Sequence, residues 1–189
     1  MRVVLIAGPD AGHAFPVMAL AERFRSAGDE AVVLTGERWW QAGRAAGLDV
    51  RRRSVERAPD ARCAVFLIDS LGELPGFLAA GDVAFVGGSL CDIGGHNLLE
   101  PAALGMPVLS GPHLFNFLEI AAQLREAGAL LEVNDAEELA RRLAQLYSLP
   151  RDAERMADAG LAVLRANQGA LQKLLDGLER LLARAQPSA

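Results

Sequence analysis

The segment Val86-Gly-Gly-Ser-Leu-Cys-Asp-Ile-Gly-Gly-His-Asn-Leu-Leu-Glu-Pro-Ala-Ala-Leu-Gly105 constrains the fold more than any other part of the chain. It reads as a buried strand, a glycine-rich loop and the opening of a helix. In an α/β protein that order presents backbone N–H groups and a helix dipole to a phosphate. The pairs Gly87-Gly88 and Gly94-Gly95 carry no Cβ and so leave room for a ligand to approach the backbone. Asn97 and Glu100 fall in or beside the first helical turn, where a carboxylate is placed to accept from two neighbouring sugar hydroxyls. Asn97-x-x-Glu100 also has the spacing of a capping box, and Pro101 suits helix initiation. The residues alone leave a ligand contact and a helix cap both open.

Around this segment, apolar runs of four to six residues alternate with helical patterns, the mark of a parallel sheet with crossover helices. Strands are expected at Arg2–Ala7, Ala31–Thr35, Asp49–Arg53, Ala64–Ile68, Val83–Val86, Pro107–Ser110 and Ala129–Val133. Helices are expected at His13–Ala27, Glu37–Ala46, Glu73–Ala80, Leu98–Leu104, Phe117–Ala127 and Ala136–Tyr147. From Arg151 the chain reads as helical to Ala185, with a break near Asn167-Gln-Gly169. The fold class is α/β: a single doubly wound, mainly parallel sheet with carboxy-terminal helices. Recurrent Ala-Gly-Asp and Ala-Gly-Leu endings read as glycine C-caps. The polar link Val55–Arg62, with Pro59, divides residues 1–58 from 59–150, and 151–189 form the terminal helices.

A chain of 189 residues is long enough to bury a substantial core. Hydrophobic residues make up 51% and aromatics 5%, so that core must be aliphatic and alanine-rich. A net charge of −5 argues against a general nucleic-acid binder. All basic residues but Lys173 are arginine, which a GC-rich coding bias explains more simply than phosphate chemistry. Cys63 and Cys91 lack the spacing of a zinc site or redox motif, and no metal is expected. The loop Ala7-Gly-Pro-Asp-Ala-Gly-His13 has neither G-x-G-x-x-G nor a P-loop lysine, so neither NAD nor ATP, and no cofactor, is expected. No signal peptide opens the chain and no apolar run reaches the ~18 residues of a membrane span. A cytoplasmic protein without a membrane anchor is expected.

The central segment, with its continuation Gly94-Gly-His-Asn-Leu-Leu-Glu-Pro-Ala-Ala-Leu-Gly-Met-Pro-Val-Leu-Ser-Gly-Pro-His-Leu-Phe-Asn-Phe-Leu-Glu-Ile120, resembles the Kdo (3-deoxy-manno-octulosonic acid) transferases of lipid A synthesis. The likeness is to the donor-binding domain of these GT-B glycosyltransferases, which use CMP-Kdo. Leu67-Ile-Asp-Ser-Leu-Gly-Glu-Leu74 resembles that family's D-x-x-G-E-L segment. Ala127–Val133, Asp135–Leu139 and Ala166–Ala170 continue the likeness, which runs from Ala64 to Leu182. Residues 1–50 resemble the start of other GT-B enzymes, through Gly12-His-Ala-Phe-Pro, Ser26–Gly36 and Ala45–Asp49. GT-B enzymes normally have two Rossmann-like domains. The resemblance therefore implies one Rossmann-like half, assembled from two ancestries by truncation or as an engineered chimera, a non-catalytic α/β scaffold being the alternative.

What the resemblance implies for single residues can be set beside their local chemistry. Glu100 would contact a ribose and Asn97 would lie near the phosphate. Ser70, Leu71, Gly72 and Glu73 would offer N–H groups to a phosphate or base edge, although Asp69 or Ser70 equally suits an N-cap. Gly94, Gly95, His96 and His113 would line the donor site, with Asn116 and Glu119 on the sugar side. Those last two suit helix capping as well, and His113 suits loop bracing. His13 matches a general base that deprotonates an acceptor hydroxyl in G-H-x-x-P enzymes. The family's P-R-H segment is replaced by Thr35-Gly-Glu-Arg-Trp39; Arg38 would substitute, with Glu37 opposing it. The implied ligand is CMP or CMP-Kdo, a UDP- or GDP-sugar being the runner-up. Without the acceptor domain, little or no turnover alone is expected, and a homo-oligomer is one source of a second cleft wall.

Overall fold

The computed structural model describes residues 2–6, 30–34, 49–58 and 65–169, with isolated positions beside them. The helices expected over 13–27 and 37–46, with His13 and Arg38, lie outside the described residues, as does most of the extension beyond 169. The seven expected strands all form: β1 Arg2–Ile6, β2 Glu30–Leu34, β3 Val50–Arg52, β4 Val65–Leu67, β5 Val83–Val86, β6 Val108–Ser110 and β7 Leu130–Glu132. They make one sheet in the order β3-β4-β2-β1-β5-β6-β7, with every pairing parallel. The register sets Val3 beside Val83 and Ile6 beside Val86, and Ser110 beside both Val86 and Glu132. The sheet is doubly wound, and its order reverses between β1 and β5. β4 inserts between β2 and β3, leaving the arginine-bearing β3 at the edge.

Five helices follow: α1 Leu74–Ala79, α2 Leu99–Ala103, α3 Leu118–Glu126, α4 Ala136–Ser148 and α5 Pro150–Asn167. From β4 to β7 the chain steps in one direction across the sheet, so right-handed crossovers put α1, α2 and α3 on one face. α5 packs over α2 and α3 on that face. Val86, Leu98, Ala102, Val108, Leu114, Ala121, Leu124, Ala129 and Leu130 form the core beneath them, with Val163 and Leu164 of α5 against it. A second cluster joins Phe66, Ile68, Leu78, Ala84 and Met106, and the Phe66 and Phe77 rings lie 6.0 Å apart.

Local chemistry explains where the helices stop and start. α2 ends in a Schellman turn: Gly105 takes φ +66°, and Met106 N–H donates to the Pro101 carbonyl at 3.2 Å. α4 is capped by Asp135, which accepts from Glu138 N–H at 2.7 Å, and it buries the stripe Leu139, Leu143 and Leu146. α5 starts on Pro150 and stops at Asn167, where Gln168 is extended and Gly169 has φ +89°; the expected break is there.

The glycine endings need correction. Gly47 does take a left-handed φ of +76°, but Gly81 closes α1 without one. Gly160 lies inside α5 and is buried against Ala102 and Ala129, so there the missing Cβ serves helix packing. No helix among the described residues is long and apolar enough to cross a membrane.

Candidate functional site

Because every strand is parallel, the loops leaving β4, β5, β6 and β7 all open on one edge of the sheet. The loop after β5 stands at the reversal of strand order, where doubly wound sheets place their ligands. It starts from fully buried strand residues and turns at Gly88, φ +73°. Gly95 N–H then closes it by donating to the Gly88 carbonyl at 2.8 Å. Gly94 and Gly95 follow at φ +96° and +74° and are themselves buried.

The space these two glycines leave is filled by protein. A Cβ on Gly94 would meet the Asn116 amide and the Phe115 ring, and one on Gly95 would meet Leu114. The pair therefore lets the loop after β6 seat on the loop after β5. Sequence reading assigned that room to a ligand, because a glycine pair does not say what approaches it.

Asn97 and Glu100 do come together at the opening of α2. Asn97 Oδ1 accepts from Leu99 N–H at 3.0 Å, and its amide donates to Glu100 at 3.0 Å. The helix itself has Leu98 as its flanking residue, with no side-chain cap. Asn97 thus braces the turn and orients the exposed Glu100 carboxylate, one oxygen of which takes no part in this bond. Asn116 does not cap α3, as Phe117 occupies that position without a side-chain bond. Its amide crosses to the Ile93 carbonyl at 3.2 Å, tying the two loops together. His113 Nδ1 lies 3.8 Å from Asp92 Oδ1, and His96 is half-buried in the same loop cluster.

The centre of this arrangement is a residue the sequence did not single out. Ser89 is fully buried; its hydroxyl donates to the Val86 carbonyl and accepts from Gly111 N–H, both at 2.7 Å. Its carbonyl accepts from His113 N–H at 3.0 Å. Gly111 in turn must be glycine, since a Cβ there would run into the Ser89 backbone. The only cue was the Gly111-Pro112 pair that follows β6.

The loop after β4 carries a polar network instead of a cap. Asp69 accepts from Ser54 N–H at 2.9 Å and from its hydroxyl at 2.6 Å, with Arg52 3.9 Å away. Burial works against ionisation of Asp69, but these bonds, its own N–H and Arg52 outweigh it and hold the carboxyl below its ordinary value. Ser70 donates to Glu73, and Arg53 pairs with Glu73 at 2.8 Å. Glu73 is lowered likewise, chiefly by Ser70, with Arg53 adding to it against an opposing cost of desolvation. Neither Asp69 nor Ser70 caps α1, whose flanking residue is Glu73 with no side-chain cap. Leu71 is fully exposed and Gly72, φ +81°, has open space where a Cβ would be, so this loop presents backbone to solvent. Arg53 was missed because it lies twenty residues upstream, in the turn that follows the edge strand.

The electrostatics of the edge are unusual for an anion site. Between Arg62 and Arg125 the sequence has no lysine or arginine, but six carboxylates, of which Asp69, Glu73, Asp92, Glu100 and Glu119 follow strands and stand toward this edge; Arg52 and Arg53, from upstream, lie against the first two. An anion here would rest on backbone N–H groups and on His96 and His113, while carboxylates and amides suit hydroxyl groups. A cleft of about 550 Å³ adjoins the loops, lined by Leu99, Asn116, Glu119, Gln123 and Asn167 among others. Among the described residues, no three His, Cys, Asp or Glu side chains gather as a metal-ligand set.

Comparison with known proteins places this geometry. Residues 56–162 match the family model for glycosyl transferases group 1. The chain is 48% identical over 134 residues to the 3-deoxy-D-manno-octulosonic acid transferase of Haemophilus influenzae, covering 70% of this chain and 31% of that protein. It is 43% identical over 136 residues to the Bordetella pertussis enzyme of the same name, covering 71% and 32%. It thus spans about a third of the length of these relatives. Among solved structures, the C-terminal CMP-Kdo binding domain of WaaA from Acinetobacter baumannii superposes with a TM-score of 0.75 at 30% identity, covering 86% of this chain and 89% of that one. A doubly wound parallel sheet, two interlocked loops at its reversal point and these matches lead to one conclusion: the chain belongs to the glycosyl transferases group 1 family, as a GT-B donor-binding domain related to the Kdo transferases.

Proposed function

We propose that the carboxyl edge binds the nucleotide of a sugar donor of the CMP-Kdo type, and that the chain acts as a donor-binding module. The observation that carries this reading is the Asn97–Glu100 pair at the opening of α2, braced so that a carboxylate faces outward beside two glycine loops. In this reading Glu100 accepts from the ribose hydroxyls. The phosphate sits among the N–H groups of the loop after β5, with His96 and His113 beside it. Exposed backbone at Leu71 and Gly72 contacts the base, and Asn116 and Glu119 meet the sugar at the mouth of the 550 Å³ cleft. Gly94 and Gly95 shape the site by allowing the two loops to interlock. Ser70 and Glu73 act indirectly, by holding the loop after β4. His13 is assigned the acceptor-side base, which needs a second cleft wall from a partner or another copy.

A thermal-shift titration with CMP, CDP, UMP and UDP tests the reading. A ligand at 100 times its Kd adds about 2.7 kcal/mol, so CMP is expected to raise the melting temperature clearly and UMP to fall short. Glu100→Ala is expected to remove that rise while leaving the unliganded protein's melting temperature nearly unchanged, since Glu100 is exposed. Stabilisation by UDP alone would replace the cytidine assignment. A cooperative melt that no nucleotide shifts would sink the proposal.

A further inference from the structure

At the carboxyl ends of β3 and β4 the strand pairing gives way to bonds made by side chains. Arg52, the last residue of β3, stands beside Leu67, the last of β4. One position further, Arg53 N–H still donates to the Leu67 carbonyl at 2.9 Å. At the next, the Asp69 carboxylate takes the place of a backbone carbonyl and accepts from both the N–H and the hydroxyl of Ser54. The turn that offers these groups is itself closed. The Arg52 carbonyl accepts from Val55 N–H at 3.1 Å and from Glu56 N–H at 2.8 Å. Arg53 then reaches one oxygen of Glu73 at 2.8 Å, and Ser70 donates to the other.

Residues 53 and 54 thus hold both flanks of one loop, Asp69 before its tip and Glu73 after it. The tip between them is Leu71, fully exposed, and Gly72, with open space where a Cβ would stand. Ion pairs at the surface add little to global stability. What this pair removes is backbone freedom, which a ligand would otherwise have to remove on binding. It also offsets charge, since Asp69 lies 3.9 Å from Arg52 and Glu73 lies 2.8 Å from Arg53. The tip therefore meets a ligand as backbone dipoles and one aliphatic side chain. A flat, uncharged group with hydrogen-bonding edges suits it, and in a nucleotide that group is the base.

The geometry points to Arg53 and Ser54 as positioning residues for base recognition. They hold the Leu71-Gly72 tip in the conformation that reads the base and do not touch the nucleotide themselves. Arg53 acts through Glu73, and Ser54 acts through Asp69. This rests on the nucleotide reading of the carboxyl edge, and it makes affinity for the base depend on the turn after the edge strand. Arg53→Ala releases the far flank and leaves the Glu73 charge uncompensated beside the tip. Arg53→Lys keeps the charge and a donor. Ser54→Ala loses the hydroxyl bond to Asp69 but keeps the backbone one, and so loosens the near flank less.

Calorimetric titration of the full chain with CMP and with ribose 5-phosphate, which lacks the base, separates positioning from general damage. NMR relaxation of the backbone amides follows the tip directly, without ligand. Arg53→Ala is expected to weaken CMP about tenfold while changing ribose 5-phosphate less than about twofold. In the free protein it is expected to lower the order parameters of Leu71 and Gly72 below about 0.6. Arg53→Lys is expected to restore most of the CMP affinity, and Ser54→Ala to lose about threefold. Arg155→Ala breaks an ion pair with Asp152 on α5 and is expected to leave CMP affinity unchanged, as a control for the loss of a surface arginine. Three results would each overturn the inference while the nucleotide reading stands: CMP affinity indifferent to Arg53→Ala, equal losses for the two ligands, or a tip as ordered in Arg53→Ala as in the wild type. Binding of neither ligand by a cooperatively melting wild type would overturn both. If Arg53→Ala does not fold, Ser54→Ala carries the same test, since its backbone bond to Asp69 remains.

Discussion

Ser89 contributes no surface to the molecule, yet two loops depend on it. Replacing it with alanine leaves the Gly111 N–H buried without its acceptor, which costs about 1–3 kcal/mol. Gly111→Ala is expected to cost at least as much, because the obstacle is the Ser89 backbone and no rotamer change relieves it. Urea unfolding of both variants checks this, as a lowered midpoint with an unchanged slope. Asn97 and Glu100 were legible in the sequence because their partnership spans three residues of one turn. Ser89 was not, since its partner lies 22 residues away across a strand pairing. The glycine pair was legible as a demand for space but not as to its occupant; Asn116 supplies that answer only in three dimensions.

At the scale of elements, α5 and α2 meet through small residues. Gly160 sits in a helix interior, and an added Cβ would stand 3.6 Å from the Ala102 Cβ and 3.7 Å from that of Ala129. Those are ordinary contacts, and alanine in a helix interior is favoured over glycine by about 0.5–1 kcal/mol. Gly160→Ala is therefore expected to raise the melting temperature, and a fall in calorimetry would show that the helices are packed more tightly than these distances allow. The strands were readable because short apolar runs punctuated by glycine have few other uses. Their order was less so. Insertion of β4 between β2 and β3 depends on pairings between non-consecutive segments, on which local pattern is silent. The Ala-Gly endings failed at Gly81 and Gly160 for a related reason: the dipeptide marks a place for a small residue, and tertiary contacts decide whether that place is a turn or a crossing.

The molecule as a whole should lose stability in acid by a mechanism visible in its loops. Asp69, Glu73 and Glu138 are all held below their ordinary values of 3.8 and 4.5. A carboxylate depressed in the folded state contributes stability that is present above its unfolded value and lost as pH falls through its folded one. Urea midpoints are therefore expected to stay level from pH 7 to about 5 and to decline below that. In Asp69→Asn the decline should be shallower, and an equal decline would assign it to other groups. A different dependence follows from the run of 62 residues between Arg62 and Arg125 that is free of lysine and arginine. Sites that hold phosphate with basic side chains weaken as salt rises, because ions screen the attraction. Here backbone dipoles would act at contact, while the carboxylates of that edge and the −5 overall charge repel an approaching anion. Nucleotide affinity is thus expected to hold steady or improve between 50 and 500 mM salt on the order of a Debye-length change. Such a domain would keep its grip on a charged donor at ionic strengths where an arginine-built site lets go.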